Sequence, residues 1–141
     1  MRQQGAGWIV AGWNGQHILS NDGGTSGIPL GDGYNDGHWH HLVMTWKQDA
    51  ANGFASYLDG QLVAARDSSS APIPAHNAAL YFGAFNGVGE FSTGCIDEVA
   101  IWNRALSQPE IQANWNKGLS GAERGLSGHW KFDDGTVTDL S

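Results

Sequence analysis

An Asp-Gly pair between two alternating runs, Asp59-Gly60, is the feature that most constrains the fold of this chain. In the commonest two-residue hairpin turn both central residues need positive φ, which Asp and Gly adopt at low cost. The runs on either side, residues 54–58 and 61–65, are therefore predicted to be antiparallel strands joined by a tight turn. A fold that contains this hairpin must bury at least one of its faces.

Further short runs with a period of two, or with an apolar stretch between turn residues, predict additional strands. They are residues 7–12, 16–20, 40–47, 79–85 and 95–103, and the turn Trp13-Asn14-Gly15 joins the first two. The composition favours the same class, because 21 glycines and 7 tryptophans with only 15% charged residues are typical of a turn-rich all-β domain. The segment before residue 7 offers no strand candidate.

One short helix is predicted after the last of these strands. Ser107 and Glu110 have the spacing of a capping box, with Ser at the N-cap and Glu three positions on. Ile111 and Trp115 follow as apolar residues, and Gly118 supplies a stop signal.

Length and charge limit the function classes. The 141 residues suit a single domain. The net charge is −7 and the 7 Lys and Arg residues are scattered, so no basic surface for nucleic acid or anionic membranes is expected. No run approaches the ~20 apolar residues of a membrane span, and the first residues contain no signal-peptide core. The single cysteine, Cys95, is expected to be buried as a small apolar residue.

Three motifs give the chain a resemblance to a known family. They are Asp36-Gly37 followed by Trp39-His40-His41-Leu42-Val43, the segment Tyr57-Leu58-Asp59-Gly60-Gln61-Leu62-Val63, and residues 91–107 with Glu110-Ile111 beyond them. In this order they are similar to the strand opener, the central hairpin and the closing strand with its helix in laminin-G-like domains of the concanavalin A-like lectin and glucanase superfamily. The resemblance implies an all-β, two-sheet antiparallel jelly-roll sandwich with one short helix near the C-terminus.

Residues 125–141 are similar to the strand with which such domains usually open, although here they lie at the other end of the sequence. They either begin a following copy or complete a permuted single domain that spans residues 1–141. We expect the second, because Trp130 and Phe132 would otherwise lie on an unpaired strand. Leu126, Gly128, Trp130 and Phe132 should then pack beside the closing strand.

The sequence His38-Trp39-His40-His41 raises the question of a metal site. On a strand, His38 and His40 share one face while His41 points to the other, so at most two imidazoles can meet at one ion. No Cys, Asp or Glu adds a third ligand at a fixed local spacing. A transition-metal site is therefore not expected. The resemblance implies instead that Trp39 and the histidines plug one end of the sandwich and hydrogen-bond to loop backbone.

Calcium fits the composition better, because it takes oxygen ligands from Asp and Asn side chains and from carbonyl groups of glycine-rich loops. Relatives with this jelly roll often hold a structural calcium ion. The resemblance gives three candidate ligands, Asp22, Asp97 and Asp139. The alternative for each is a solvated turn carboxylate.

Because the superfamily includes glucanases, Asp97 and Glu98 are the carboxylates to consider for hydrolysis. Neighbouring residues of a strand point to opposite faces, whereas the two carboxylates of a glycosidase flank one bond at about 5 to 10 Å. No further acid follows at Ala100 or Trp102. A glycoside hydrolase is therefore the third and least favoured function.

We expect a non-catalytic recognition module whose partner is carbohydrate or another cell-surface ligand. Indole rings offer a flat apolar platform to a sugar, and loop Asn and Asp side chains supply oriented hydrogen bonds. The candidate ligand-binding residues are Trp13, Asn14, Asn21, Asp22 and Asn86. A structural spacer or protein-interaction module of a larger surface protein is the alternative, and the resemblance implies an extracellular or cell-surface location.

Overall fold

The computed structural model describes residues 2–4, 11–13, 16–19, 36–68, 81–83, 94–133, 135 and 138–140, and for 2–4, 11–13 and 16–19 the backbone only. These residues form mostly antiparallel strands and one short helix. In chain order the elements are β1 (Arg2–Gln4), β2 (Ala11–Trp13), β3 (Gln16–Leu19), β4 (His40–Trp46), β5 (Phe54–Leu58), β6 (Gln61–Arg66), β7 (Cys95–Asp97), β8 (Val99–Trp102), α1 (Gln108–Asn114) and β9 (Leu126–Trp130).

The predicted central hairpin is present as β5 and β6. Asp59 and Gly60 both have positive φ, 49° and 79°, as the tight turn requires. Strand β4 lies on the other side of β5, with Val43 opposite Tyr57. The N-terminal hairpin is also present as β2 and β3, although Trp13 ends β2 instead of lying in the turn.

Strand β1 corrects the expectation that the start of the chain holds no strand. Its backbone pairs with β4, Arg2 opposite His41, and with β7, Arg2 opposite Asp97. The resulting five-stranded sheet has the order β6-β5-β4-β1-β7. The residues Arg2, Gln3 and Gln4 include no apolar side chain, so the alternation that marks other strands is missing here.

The segment 95–103, expected as one strand, is divided at Glu98. This residue has a φ of 50°, a left-handed conformation that a non-glycine residue adopts at a cost, and its N–H donates to Asp97 Oδ1 at 2.9 Å. Before the bend, β7 pairs with β1; after it, β8 pairs with β9. Glu98 therefore transfers the chain from one sheet to another.

Helix α1 begins where the capping box predicts and packs on the five-stranded sheet. The backbone N–H of the N-cap, Ser107, donates to Glu110 Oε2 at 2.8 Å. Ile111 is 1% exposed and forms a core cluster with Ala55 and Tyr57, against which Val43, Ala65 and Leu106 also pack. The odd-numbered face of β4 and β5 is thus covered by the helix.

The segment after the helix forms β9, which pairs antiparallel with β8, Val99 opposite Trp130. The ring of Phe82 contacts the rings of Trp130 and Phe132 edge to face, with centroids 5.3 and 6.0 Å apart. Gly128 is buried and Leu126 is partly buried. The alternate set expected to avoid solvent therefore does so, beside the closing strand.

Two local expectations are wrong. In the predicted strand 79–85, residues 82 and 83 bend instead of extending, and Gly83 has a φ of 75°; residues 79, 80, 84 and 85 lie outside the described residues. Cys95 is exposed, because it begins β7 at the edge of the described five-stranded sheet. In the part of the chain that the structure describes, no helix is long and apolar enough to cross a membrane.

Candidate functional site

The first candidate site lies where β4 begins beside the turn between β5 and β6. His40 lies between two carboxylates, with Nδ1 at 2.8 Å from Asp59 Oδ2 and Nε2 at 3.0 Å from Asp36 Oδ1. The backbone N–H of His41 donates to Asp59 Oδ1 at 2.8 Å, and the Asp59 N–H donates to the His41 carbonyl at 2.9 Å. One imidazole and one turn carboxylate thus join the start of β4 to the hairpin turn.

The charges of this cluster reinforce each other. The hydrogen bond with Asp59, followed by that with Asp36, raises the pKa of His40 above its ordinary value, against the opposing effect of its burial. The backbone N–H of His38, together with the His40 ring, lowers the pKa of Asp36 to about 2. The protonated ring and the two carboxylates therefore form a charge-assisted network.

These contacts show what surrounds His40, the second of the three histidines. His40 is a structural residue that joins the start of β4 to the turn between β5 and β6. Its ring hydrogen-bonds to the carboxylates of Asp36 and Asp59, not to loop backbone as the resemblance implied. The plug interpretation is also wrong for Trp39, which is 45% exposed. Within the described residues no three His, Cys, Asp or Glu side chains form a group that could hold a metal ion.

The second candidate site joins β8, β9 and the C-terminal residues. His129 is 0% exposed, and its Nε2 lies 2.8 Å from Glu98 Oε2. Its backbone N–H donates to Asp139 Oδ1 at 2.8 Å, and its carbonyl accepts from the Leu140 N–H at 2.8 Å. His129 Nδ1 is buried with no hydrogen-bond partner among the residues described. The bend at Glu98 brings its carboxylate to this buried imidazole.

The predicted site residues fall into two groups. Asn14, Asn21, Asp22 and Asn86 lie outside the described residues, and of Trp13 only the backbone is described, at the end of β2. Of the calcium candidates, Asp97 Oδ1 accepts the Glu98 N–H and Asp139 Oδ1 accepts the His129 N–H, so each has one oxygen bonded to backbone. The described residues therefore test neither ligand set, and both stay predictions.

Sequence reasoning missed the pairs His40 with Asp59 and Glu98 with His129. The partners are 19 and 31 residues apart. No local spacing rule reaches that far, so the only available signal was the Asp59-Gly60 turn itself. Chemically, both pairs hold elements together, since each carboxylate is bound to an imidazole.

A comparison with protein-family models identifies a family to which most of the chain is similar. The laminin G model described as the concanavalin A-like lectin/glucanases superfamily matches residues 2–112, well over half of the chain. The matched range ends within α1 and leaves out β9. Comparisons with curated proteins and with solved structures gave no match.

Proposed function

The chain belongs to the concanavalin A-like lectin/glucanase superfamily, and from this membership we propose that it is a non-catalytic recognition module for carbohydrate. The match over residues 2–112 is the observation that carries the proposal. Fold membership alone does not decide function, because function depends on the side chains of a site. The described side chains support recognition over hydrolysis for the following reason.

Glycoside hydrolysis needs one carboxyl group that protonates the leaving oxygen and a second that acts as nucleophile or base. Glu98, the acid considered for this role, directs Oε2 to the buried ring of His129, and its neighbour Asp97 binds the Glu98 N–H. Asp36 and Asp59 are bound to His40. These carboxylates have structural partners, which supports a module that binds its ligand without cleaving it.

The proposal has two further parts. The first is that the described sheets belong to a two-sheet jelly-roll sandwich. The five-stranded sheet, the β2–β3 pair and the β8–β9 pair would each be part of one of its two layers. The module works outside the cell or on its surface, where such domains typically act, and its ligand contacts include the loop residues Trp13, Asn14, Asn21, Asp22 and Asn86. Family membership supports both parts.

A glycan array probed with the purified protein tests the proposal. We expect retention of at least one class of oligosaccharide, and Trp13→Ala should weaken that binding without changing the melting temperature, because an aromatic platform contributes to sugar affinity. Trp115→Ala, on a helix end, serves as a tryptophan control that leaves binding unchanged.

Two results would contradict the proposal. Absence of binding to every glycan, with a cooperative thermal transition that shows a folded protein, would favour the spacer or protein-interaction module. Release of reducing sugar from a β-glucan by the pure protein would revive the hydrolase, and Glu98→Gln would then be the first variant to assay.

A further inference from the structure

The outer edge of β9 is occupied by a later part of the same chain. In a strand, the N–H and the carbonyl of one residue point to the same edge, and at His129 both are bonded to residues outside β8. The N–H donates to Asp139 Oδ1 at 2.8 Å, and the carbonyl accepts from the Leu140 N–H at 2.8 Å. Residues 138–140, which we call the covering segment, therefore lie along the edge of β9 that faces away from β8.

A further contact fixes the position of the covering segment. Gly121 has a φ of 89°, and a Cβ at this glycine would lie 2.6 Å from the carbonyl oxygen of Leu140. The backbone of Leu140 thus passes directly over Gly121 while its N–H bonds to β9. A residue without a Cβ permits this close approach. The covering segment therefore contacts both the β9 edge and the loop between α1 and β9.

The covering segment does not pair with β9 as a regular strand. At His129 one of its two contacts comes from a side chain, because the Asp139 carboxylate occupies the place that a backbone carbonyl takes in a ladder. Residues 138–140 have no strand conformation, and Leu140 is 48% exposed. Segments that bury little apolar surface open at a lower free-energy cost than core strands. The covering segment is therefore easier to displace than a paired strand.

Strand β9 has little protection of its own against pairing with another chain. Proteins protect edge strands with charged side chains, prolines or bulges, or they cover the edge with a loop. The sequence of β9, LSGHW, contains no Lys, Arg, Asp, Glu or Pro. Its register shift lies between Leu126 and Gly128, and His129 and Trp130 pair regularly with β8. Protection of the edge at His129 therefore depends on the covering segment.

A second copy of the chain is the partner that fits this edge. Two copies of an uncharged strand meet without repulsion between like charges. Antiparallel pairing about a twofold axis brings the same edge from both copies together. Each copy then satisfies the outward backbone N–H and carbonyl groups of the other.

We propose that the outer edge of β9 is a strand-pairing surface for a second copy of this chain, and that the covering segment keeps the chain monomeric by occupying this edge. Release of the segment exposes the N–H and carbonyl of His129, which then pair with β9 of the second copy. The inference is independent of the proposed carbohydrate function.

Sedimentation velocity of the 141-residue chain, over a range of concentrations, tests the proposal. The double variant Asp139→Ala, Leu140→Pro removes both partners of His129, because alanine has no carboxylate and proline has no N–H. It should dimerise with a dissociation constant at least about tenfold below that of the wild type, which should stay monomeric. Asp133→Ala removes another exposed acid after β9 and is the control that should stay monomeric. A chelator in the buffer keeps calcium from affecting the comparison.

A further substitution tests whether β9 forms the contact. Ser127 is exposed on β9, and a lysine on a strand edge opposes pairing. Ser127→Lys, added to the double variant, should therefore restore the monomer, whereas Ser127→Ala in the same background should not. A dimer that Ser127→Lys leaves unchanged overturns the proposal. A folded double variant that stays monomeric at every concentration overturns it as well.

Gly121→Ala gives a second test without a change in β9 or in the covering segment. Its Cβ would press on the Leu140 carbonyl and displace the segment, so this variant should also dimerise. If the double variant does not fold, a folded and monomeric Gly121→Ala chain overturns the proposal. A wild-type chain that dimerises as strongly as the variants overturns the role of the covering segment.

Discussion

At the scale of single residues, His40 makes the stability of the fold depend on pH. Its pKa is raised by the bond with Asp59, so the stabilisation is fully present below the ordinary histidine pKa of 6.5 and is lost as the pH rises through the folded-state value. The pKa of Asp36 is lowered to about 2, so its part is present above the ordinary value of 3.8 and is lost as the pH falls toward 2. Between pH 3.8 and pH 6.5 both contributions to stability are therefore fully present.

We expect His40→Gln to destabilise the protein by about 1 kcal/mol at pH 5.5, since charge-assisted hydrogen bonds are lost, and by clearly less at pH 8.5. Urea unfolding at the two pH values measures the difference. His38→Gln, at the exposed side of the same turn, is the matched control and should show a much smaller change. Equal losses for His40→Gln at both pH values would contradict the charge assignment.

At Gly128, the addition of a single carbon atom should lower the stability of the fold. A Cβ there would lie 2.5 Å from Cη2 of the Trp130 ring, which also contacts the ring of Phe82. Gly128→Ala is expected to lower the free energy of unfolding by about 1–3 kcal/mol, because the ring must leave its contacts. Gly118→Ala is the control, since a Cβ at Gly118 meets nothing within 4 Å. Similar unfolding midpoints for the two variants would disprove the close packing.

The sequence predicts the conformation of a residue well when that conformation is determined by residues nearby in the chain. The positive φ of Asp59 and the capping role of Glu110 follow from residues next to them or one turn away, and both are confirmed. The bridge made by His40 depends on Asp59, which only the folded sheet brings near. The exposure of Trp39 and Cys95 likewise depends on which neighbours the tertiary structure places over them.

At the scale of elements, β9 has the greatest consequence for stability. It is the described partner of β8, it carries Trp130, and its His129 binds Glu98. Deletion of residues 125–141 is expected to lower the free energy of unfolding by about 3 kcal/mol or more, through loss of the partly buried Trp130 side chain and exposure of a strand edge. Thermal unfolding and size-exclusion chromatography measure the effect.

Ser127→Ala, at an exposed position of the same strand, is the comparison for that deletion and should leave both measurements unchanged. A truncated protein that stays monomeric with unaltered stability would show that residues 125–141 do not belong to this domain. The single-domain interpretation of residues 1–141 would then have to be abandoned.

Element prediction succeeded where side chains alternate and failed where pairing alone makes a strand. Strands β4, β5 and β6 alternate in sequence and are present, and each contributes at least one apolar residue to the face that packs on Ile111 of the helix. Strand β1 is a strand because its backbone fills the space between β4 and β7. The division at Glu98 also has no pattern signal, since a glutamate at positive φ is uncommon.

At the scale of the whole molecule, the calcium hypothesis stays a prediction. Asp97 and Asp139 each bond one oxygen to backbone, and Asp22 lies outside the described residues. If calcium binds the native state, millimolar calcium should raise the melting temperature and a chelator should reverse the rise, because a ligand of the folded state stabilises it by mass action. Magnesium at equal concentration is the control. Identical melting curves in calcium and in chelator would show that calcium does not bind the folded protein.

The position of β1 between β4 and β7 in the five-stranded sheet bears on how the protein is made. This strand leaves the ribosome before its partner β7, which follows about 95 residues later, a separation that slows folding. At about 5 to 20 residues per second, synthesis leaves roughly 5 to 20 s in which β1 cannot complete its pairing. The hairpin of β5 and β6 can form with β4 during that time, and β1 can pair with β4, so the nascent chain should hold a four-stranded sheet whose β1 edge stays open until Asp97 emerges.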